Sequence, residues 1–294
     1  MAVRELRSTP SMLTLFARAG VALVPGASML PCVGGAGGSI PDLTLTLNGV
    51  EVDRGRLAAY DRVCGFSFSD VLPVTYPHVL AFPLQLALMT DGSFPFPAIG
   101  LVHIANEISQ RRPIRAGERL ALRVWATAVA PHPRGSQFTV RSEASLDGEV
   151  VWEESSTNLR RGSGSGQGEG HGSEIPPTNE LPTSATWTLP EDLGRRYGSA
   201  SGDLNPIHVH PLSARLFGFP SAIAHGMWTK ARCLAALEPQ LPKSLTVAVS
   251  FRKPILLPAT VEFASQAVGG DAVAFGVRDA AKGTPHLDGL LKLR

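Results

Sequence analysis

The sequence predicts an α+β protein built on antiparallel sheet, with one folding pattern present twice. Three observations carry this. A Gly-, Ser- and Pro-rich run over residues 161–184, R-G-S-G-S-G-Q-G-E-G-H-G-S-E-I-P-P-T-N-E-L-P-T-S, reads as a flexible linker between segments 40–160 and 185–294, each near the size of a small domain. Helical patterns come early and strand patterns late in both segments, the order of α+β rather than of βαβ units. Both segments also repeat one order of elements: an apolar helix, a strand, a basic residue followed by proline, then more strands. The matched pairs are Arg112-Pro113-Ile114 and Lys253-Pro254-Ile255.

Taken along the chain, residues 1–39 form an N-terminal extension with an amphipathic helix expected over 12–24. Packing on the body is favoured over membrane contact, because an interfacial helix carries a more basic polar face. The run V-G-G-A-G-G-S at 33–39 lacks the glycine spacing, the following lysine and the preceding strand of a nucleotide loop, and reads as a structural loop. Alternating patterns predict strands over 120–129, 137–144 and 150–159, and again over 260–268, 272–278 and 287–293. Short helices are expected at 189–197 and 211–217, and a long apolar helix at 227–237 is the expected core helix of the second segment.

Composition excludes several classes. With 294 residues, 44% of them hydrophobic, and a formal net charge of +2, the chain buries a large core and is not disordered. Its basic residues are mostly arginines scattered among acids, with no cluster beyond Arg111-Arg112 and Arg160-Arg161, so nucleic acid is not the expected partner. Cys32, Cys64 and Cys233 are odd in number, far apart and outside any C-x-x-C, which argues for a reducing compartment and against a disulfide framework or a zinc cluster. No apolar run reaches the roughly 20 residues of a membrane span. A cytoplasmic protein without an integral membrane segment is expected.

The chemistry concentrates in Y-G-S-A-S-G-D-L-N-P-I-H-V-H-P, from Tyr197 to Pro211. Asp203, Asn205 and His208 fall within six residues, and a turn set by Gly202 and Pro206 can converge a carboxylate, an amide and an imidazole on one water. Downstream, Ala224-His225-Gly226-Met227 opens the long apolar helix. Gly226 in its first turn would present a backbone N–H that polarises a carbonyl. The set suits proton abstraction α to a carbonyl with loss or gain of a β-hydroxyl, and needs no nucleophile. Singly, Asp203 and Asn205 could be ordinary loop residues and His208 a structural histidine. His210 and His225 could gate water or simply cap and pack a helix. A metal set of Asp203, His208, His210 and His225 is disfavoured, because no cysteine or carboxylate cluster completes it.

The string S-G-D-L-N-P-I-H, followed by V-H-P-L-S and Ala214, resembles the signature of the MaoC-like (R)-specific hydratase/dehydratase family. The resemblance is strong in the second segment and weak in the first, and covers the chain after about residue 40. It implies a double hot-dog fold, two units each with an antiparallel sheet wrapped around a central helix. It also implies reversible syn hydration and dehydration between (3R)-hydroxyacyl and trans-2-enoyl thioesters of coenzyme A or acyl carrier protein. Asp203 and His208 would then hold and activate the water, Asn205 would fix their network, and Gly226 would donate to the thioester oxygen. No metal or redox cofactor is implied. The segments T-Y-P-H-V-L-A-F-P and F-R-K-P-I-L-L-P-A-T are most similar to bacterial double hot-dog dehydratases of fatty-acid elongation.

Arg111, Arg112, Arg252 and Lys253 flank the matched prolines and are candidates for the phosphates of a coenzyme A or phosphopantetheine arm, against the plainer reading of solvated strand ends. Arg112, Arg252, Lys253 and His225 make up the candidate substrate-binding set. Laying Tyr60 on Tyr197 puts Phe66, Phe68 and Val71 where Asp203, Asn205 and His208 stand, and laying Leu84 on Met227 puts Pro83 at Gly226. The first segment is therefore expected to be catalytically degenerate and to shape the acyl pocket through its apolar stretch 94–105. Two rivals are a non-catalytic acyl-thioester-binding subunit of a larger dehydratase and a hot-dog thioesterase. A homodimer is left open.

Overall fold

The computed structural model describes residues 2–21, 39–162 and 175–293. In chain order the elements are β1 (Ala2–Glu5), α1 (Met12–Val21), β2 (Leu43–Val50), α2 (Arg54–Cys64), α3 (Tyr76–Met89), β3 (Val102–Gln110), β4 (Leu120–Ala126), β5 (Ala130–His132), β6 (Gly135–Leu146) and β7 (Glu149–Arg161). There follow β8 (Thr183–Leu189), α4 (Leu193–Ser201), α5 (Pro206–Val209), α6 (Pro211–Leu216), α7 (Gly226–Ala236), β9 (Leu245–Phe251), β10 (Ala259–Ala267), β11 (Ala272–Asp279) and β12 (Pro285–Leu293). This is the expected α+β double hot-dog. None of these helices is long and apolar enough to cross a membrane.

The residues cluster into two compact units that interleave along the chain. The first comprises Met1–Glu51, Pro77–Ile104 and Glu118–Gly170. Its strands run β1-β2-β4-β6-β7, with β5 also on β6; β1 pairs with β2 in parallel and the others pair antiparallel. Phe138, Val140, Ser142, Ala144 and Leu146 point inward from β6 at period two, which buries one face of the sheet. Helix α3, all but its first residue in this unit, is apolar around its circumference and correspondingly buried. Phe94 and Phe96 of the 94–105 stretch pack with Phe138 at ring distances of 5.3 and 5.8 Å. Part of the N-terminal extension is folded here too, since Arg4 pairs with Asp91 at 2.8 Å.

The second unit comprises Val52–Tyr76, Ala105–Gly117 and His171–Arg294. Residues 105–110 of β3 pair with β9, and the order continues β12-β11-β10-β8, antiparallel throughout. Helix α7 lies against β11 and β12, with eight of its residues buried, among them Met227, Trp228, Ala231 and Leu234. Helix α2 belongs to this unit because its contacts lie here. Trp228 Nε1 donates to Val63 O at 2.9 Å, Arg56 Nε donates to Ala200 O at 2.8 Å, and the Tyr60 ring sits 5.9 Å from that of Tyr197.

Several sequence expectations change. The helix expected at 189–197 starts only at Leu193, because Leu189 ends β8 and a residue before proline disfavours the helical region. The strand β8 itself lies partly in the stretch read as linker. Residues 175–184 are folded: Ile175 and Leu181 join the core of Ala264, Ala274 and Leu290, and Thr178 donates through N and Oγ1 to Asp288 Oδ1 at 2.8 and 2.5 Å. Linker residues 163–174, loop residues 33–38 and positions 22–24 of the N-terminal helix lie outside the described residues. The alignment of Pro83 with Gly226 does not hold. Helix α3 starts at Tyr76, so Pro83 lies in its interior and Pro77 occupies its first turn.

Candidate active site

The loop that carries Asp203, Asn205 and His208 is built by helix-capping chemistry. Helix α4 ends at Gly202, whose φ of 83° is the left-handed conformation that favours glycine, and its N–H returns to Gly198 O at 2.8 Å. Asn205 then caps α5, its Oδ1 accepting from Ile207 N at 3.3 Å, while Pro206 occupies the first helical position. Asn205 N donates to Asp203 Oδ1 at 3.2 Å. One turn thus fixes the carboxylate and starts the short helix that carries His208. His210 is excluded from the cluster, because it caps α6 by accepting from Leu212 N at 3.1 Å.

Two glycines let this loop lie against α4. A side chain on Gly194 would collide with the carbonyl oxygen of His208, and one on Gly198 would sit 2.8 Å from the carbonyl oxygen of Asp203.

His208 is buried and its tautomer follows from its partner. Nδ1 lies 2.8 Å from Ile223 O and therefore donates, which leaves Nε2 with a lone pair. Burial holds its pKa below 6.5, opposed by the nearby Asp203 carboxylate and by the bond to Ile223. The ring stacks on that of His225, with centroids 3.7 Å apart and planes 24° apart. His225 Nε2 lies 3.0 Å from the main-chain oxygen of Asp203 and 3.7 Å from its Oδ2. Its pKa is pushed down to about 3, by burial first and by neighbouring His208 second. Both imidazoles are therefore neutral at pH 7, beside a carboxylate that remains about a quarter exposed.

Gly226 begins α7, where a first-turn N–H has no acceptor within the helix. Its Cα is covered by the Phe251 ring, which a Cβ would meet at 2.9 Å. The arrangement therefore joins two proton acceptors, Asp203 and His208 Nε2, to a helix start able to receive a developing oxyanion. Polar atoms of Asp203, His208 and His225 converge within 4.8 Å, close enough on distance alone for an ion. His208 Nδ1 and His225 Nε2 each donate to a carbonyl, which leaves His208 Nε2 and the Asp203 carboxylate as acceptors for the hydrogens of a water.

The candidate phosphate contacts are less concentrated. Arg252 follows Phe251 but pairs with buried Asp288 at 2.5 Å, a partner that competes with any phosphate. Lys253 is exposed. Arg112 donates to Pro113 O at 3.0 Å. In the first half Tyr60 and Tyr197 do correspond: each is buried in a helix that ends five residues later on a left-handed glycine, Gly65 with φ 85° and Gly202 with φ 83°. After Gly65, however, the chain offers Phe66, an exposed Phe68, and Val71 bridged to Arg115. Gly194, Ile223 and Phe251 are site-forming residues that the sequence did not reveal. Gly194 stands four residues before Gly198, a spacing that places both on one face of a helix and was the available signal.

Fold and site together define a hot-dog protein with a hydratase-type loop between its helices. The family described as MaoC like domain matches residues 171–289. The 3-hydroxyacyl-thioester dehydratase X of Mycobacterium tuberculosis is 36% identical over 253 residues, covering 84% of this chain and 88% of that protein. The crystal structure of HtdX from the same organism superposes with a TM-score of 0.76 at 35% identity, covering 85% of this chain and all of that one. A MaoC-like dehydratase from Phytophthora capsici has a TM-score of 0.69 at 18% identity, over 85% of this chain and 95% of that one, and shares the fold. The chain belongs to the MaoC-like dehydratase family.

Proposed function

We propose that the protein is a hydro-lyase interconverting (3R)-hydroxyacyl and trans-2-enoyl thioesters in fatty-acid metabolism. The observation that carries this reading is His208, buried and held by Ile223 O through Nδ1, which leaves Nε2 as an acceptor in a cluster with Asp203. Two acceptors can take both hydrogens of one water and aim its lone pair at the β-carbon. As the C–O bond forms, charge moves to the thioester oxygen, where the Gly226 N–H receives it. The proton taken from water by one of the acceptors returns to the α-carbon on the same face. Dehydration runs these steps in reverse.

Coenzyme A or a carrier protein is the handle of the substrate, and the reaction as written needs no metal or redox cofactor. Lys253, exposed and adjacent in sequence to the strand that covers Gly226, is the best placed of the candidate phosphate contacts. With Phe66, Phe68 and Val71 in place of the water-handling groups, one active site per chain is expected.

The test is to follow the ultraviolet absorbance of crotonyl-coenzyme A and of a longer trans-2-enoyl homologue, with chiral analysis of the product. Loss of the enoyl band with a (3R)-hydroxy product supports the proposal. Release of free thiol would assign a thioesterase instead, and binding without either change would assign a thioester-binding subunit.

A further inference from the structure

We infer that His225 is a positioning residue, a neutral imidazole that ties the Asp203 main chain to the start of α7 and walls His208. The inference rests on the reading of Asp203 and His208 as the water-handling pair and gives His225 a task that neither of them performs.

The geometry is specific. His225 is 2% exposed, and the structure gives it bonds to both halves of the site. Its Nε2 donates to Asp203 O at 3.0 Å, on the loop. Its own carbonyl accepts from Thr229 N and from Thr229 Oγ1, each at 3.1 Å, inside α7. The next residue is Gly226, whose N–H is the candidate oxyanion donor. The side chain of His225 thus links the loop that bears the Asp203 carboxylate to that donor, beside the links made by Ile223 to His208 and Ile207. An error of about 1 Å between such groups can lower turnover by 10²-fold.

The ring faces are also accounted for. His208 stacks on His225 at 3.7 Å, and the Tyr197 ring of α4 lies at 4.8 Å with planes 54° apart. The titratable groups facing His225 are thus Asp203 from the loop, His208 from α5 and Tyr197 from α4. Nδ1 is buried without a hydrogen-bond partner among the described residues. Two stacked imidazolium ions could not share this space, so a neutral His225 leaves His208 as the group that accepts a proton. The wall it forms keeps water from His208 and so helps to hold that imidazole neutral.

Three substitutions separate the elements of this role. His225→Gln places a donor near the Nε2 position but removes the ring. His225→Phe keeps a ring and removes the donor. His225→Asn falls short of Asp203 O. We expect His225→Phe and His225→Asn to lower kcat roughly 10- to 100-fold with KM little changed, as for a misplaced catalytic group. His225→Gln should keep kcat within a few-fold while the acid limb of its pH profile moves to higher pH, because His208 becomes better hydrated. Imidazole NMR reads the same device without turnover: His225 should remain a neutral Nε2–H tautomer to about pH 4, and the titration of His208 should move up in His225→Gln.

Folded His225→Phe with wild-type kcat, or a His208 titration unmoved in His225→Gln, overturns the inference. If wild type lacks turnover on every thioester, the activity reading fails, and the NMR titrations still decide the role of His225.

Discussion

Gly194 and the carbonyl oxygen of His208 are in such close contact that even one methyl group on Gly194 would overlap that oxygen. Because the obstacle is backbone, no side-chain rotation relieves it. Alanine at an exposed helix position gains up to about 1 kcal/mol over glycine, but here overpacking at a typical cost of about 1–3 kcal/mol wins. Gly194→Ala is expected to lower stability in urea melts and to lower kcat about 10²-fold through displacement of α5. Unchanged turnover would show that the loop does not depend on this contact.

Gly226 is confined differently, by the Phe251 ring 2.9 Å from the position of a Cβ. Gly226→Ala keeps the N–H, so its loss of activity should be recovered by combining it with Phe251→Leu, which makes room. Gly226→Pro lacks the donor and should lose about 10²- to 10³-fold in kcat, with no recovery from Phe251→Leu. Steady-state kinetics on the four variants, with circular dichroism to establish folding, checks this.

A second buried polar network lies in the first unit. Glu154, 2% exposed, accepts from Gln85 Nε2 at 2.8 Å and lies 2.7 Å from His78 Nδ1, while Gln85 Nε2 also reaches Ser142 Oγ at 2.9 Å. His78 and Gln85 are two turns apart on one face of α3 and bracket the two carboxylate oxygens. Removing one member of such a group strands its partners, at a cost of about 3–5 kcal/mol. Glu154→Ala should show that loss in urea unfolding, with turnover per folded molecule retained. A cost below 1 kcal/mol would mean that the network is not structural.

Stability should vary with pH in two opposed ways. His225 binds its proton near 6.5 when unfolded and near 3 when folded, so unfolding takes up a proton between those values. Its contribution is complete above pH 6.5 and is lost as pH falls toward 3. His208 acts in the same direction. Asp61 has the opposite sign. Burial first, and then Glu238, raise its carboxyl from 3.8 to about 7, and its Oδ1 has no hydrogen-bond partner among the described residues. Its contribution is present below pH 3.8 and is lost as pH rises to 7. Asp61→Asn should therefore have a Tm that climbs steadily from pH 4 to 6.5, more steeply than wild type. Parallel curves for the two proteins would remove Asp61 from the account.

What was legible in the sequence was local. Gly202, Asp203, Asn205, Pro206 and His208 form their geometry within one turn and two caps, so spacing alone brings them together. Contacts between distant residues left no comparable trace. The cover of Gly226 by Phe251 needs β9 beside α7, and the bond from His208 to Ile223 O needs the chain to return after α6. Strand β8 did carry a signal, since apolar Ala185, Trp187 and Leu189 alternate with exposed Ser184, Thr186 and Thr188, but the linker reading up to 184 and the helix reading from 189 left only its middle unassigned. The match of Pro83 to Gly226 failed because that proline lies in the interior of the buried helix α3, among apolar residues, and not at a helix start.

The central claim is that Asp203 handles the reacting water, and turnover of crotonyl-coenzyme A by folded Asp203→Asn tests it most directly. The account predicts a kcat reduced roughly 10²- to 10⁴-fold with substrate binding retained. Wild-type turnover by that variant would contradict it.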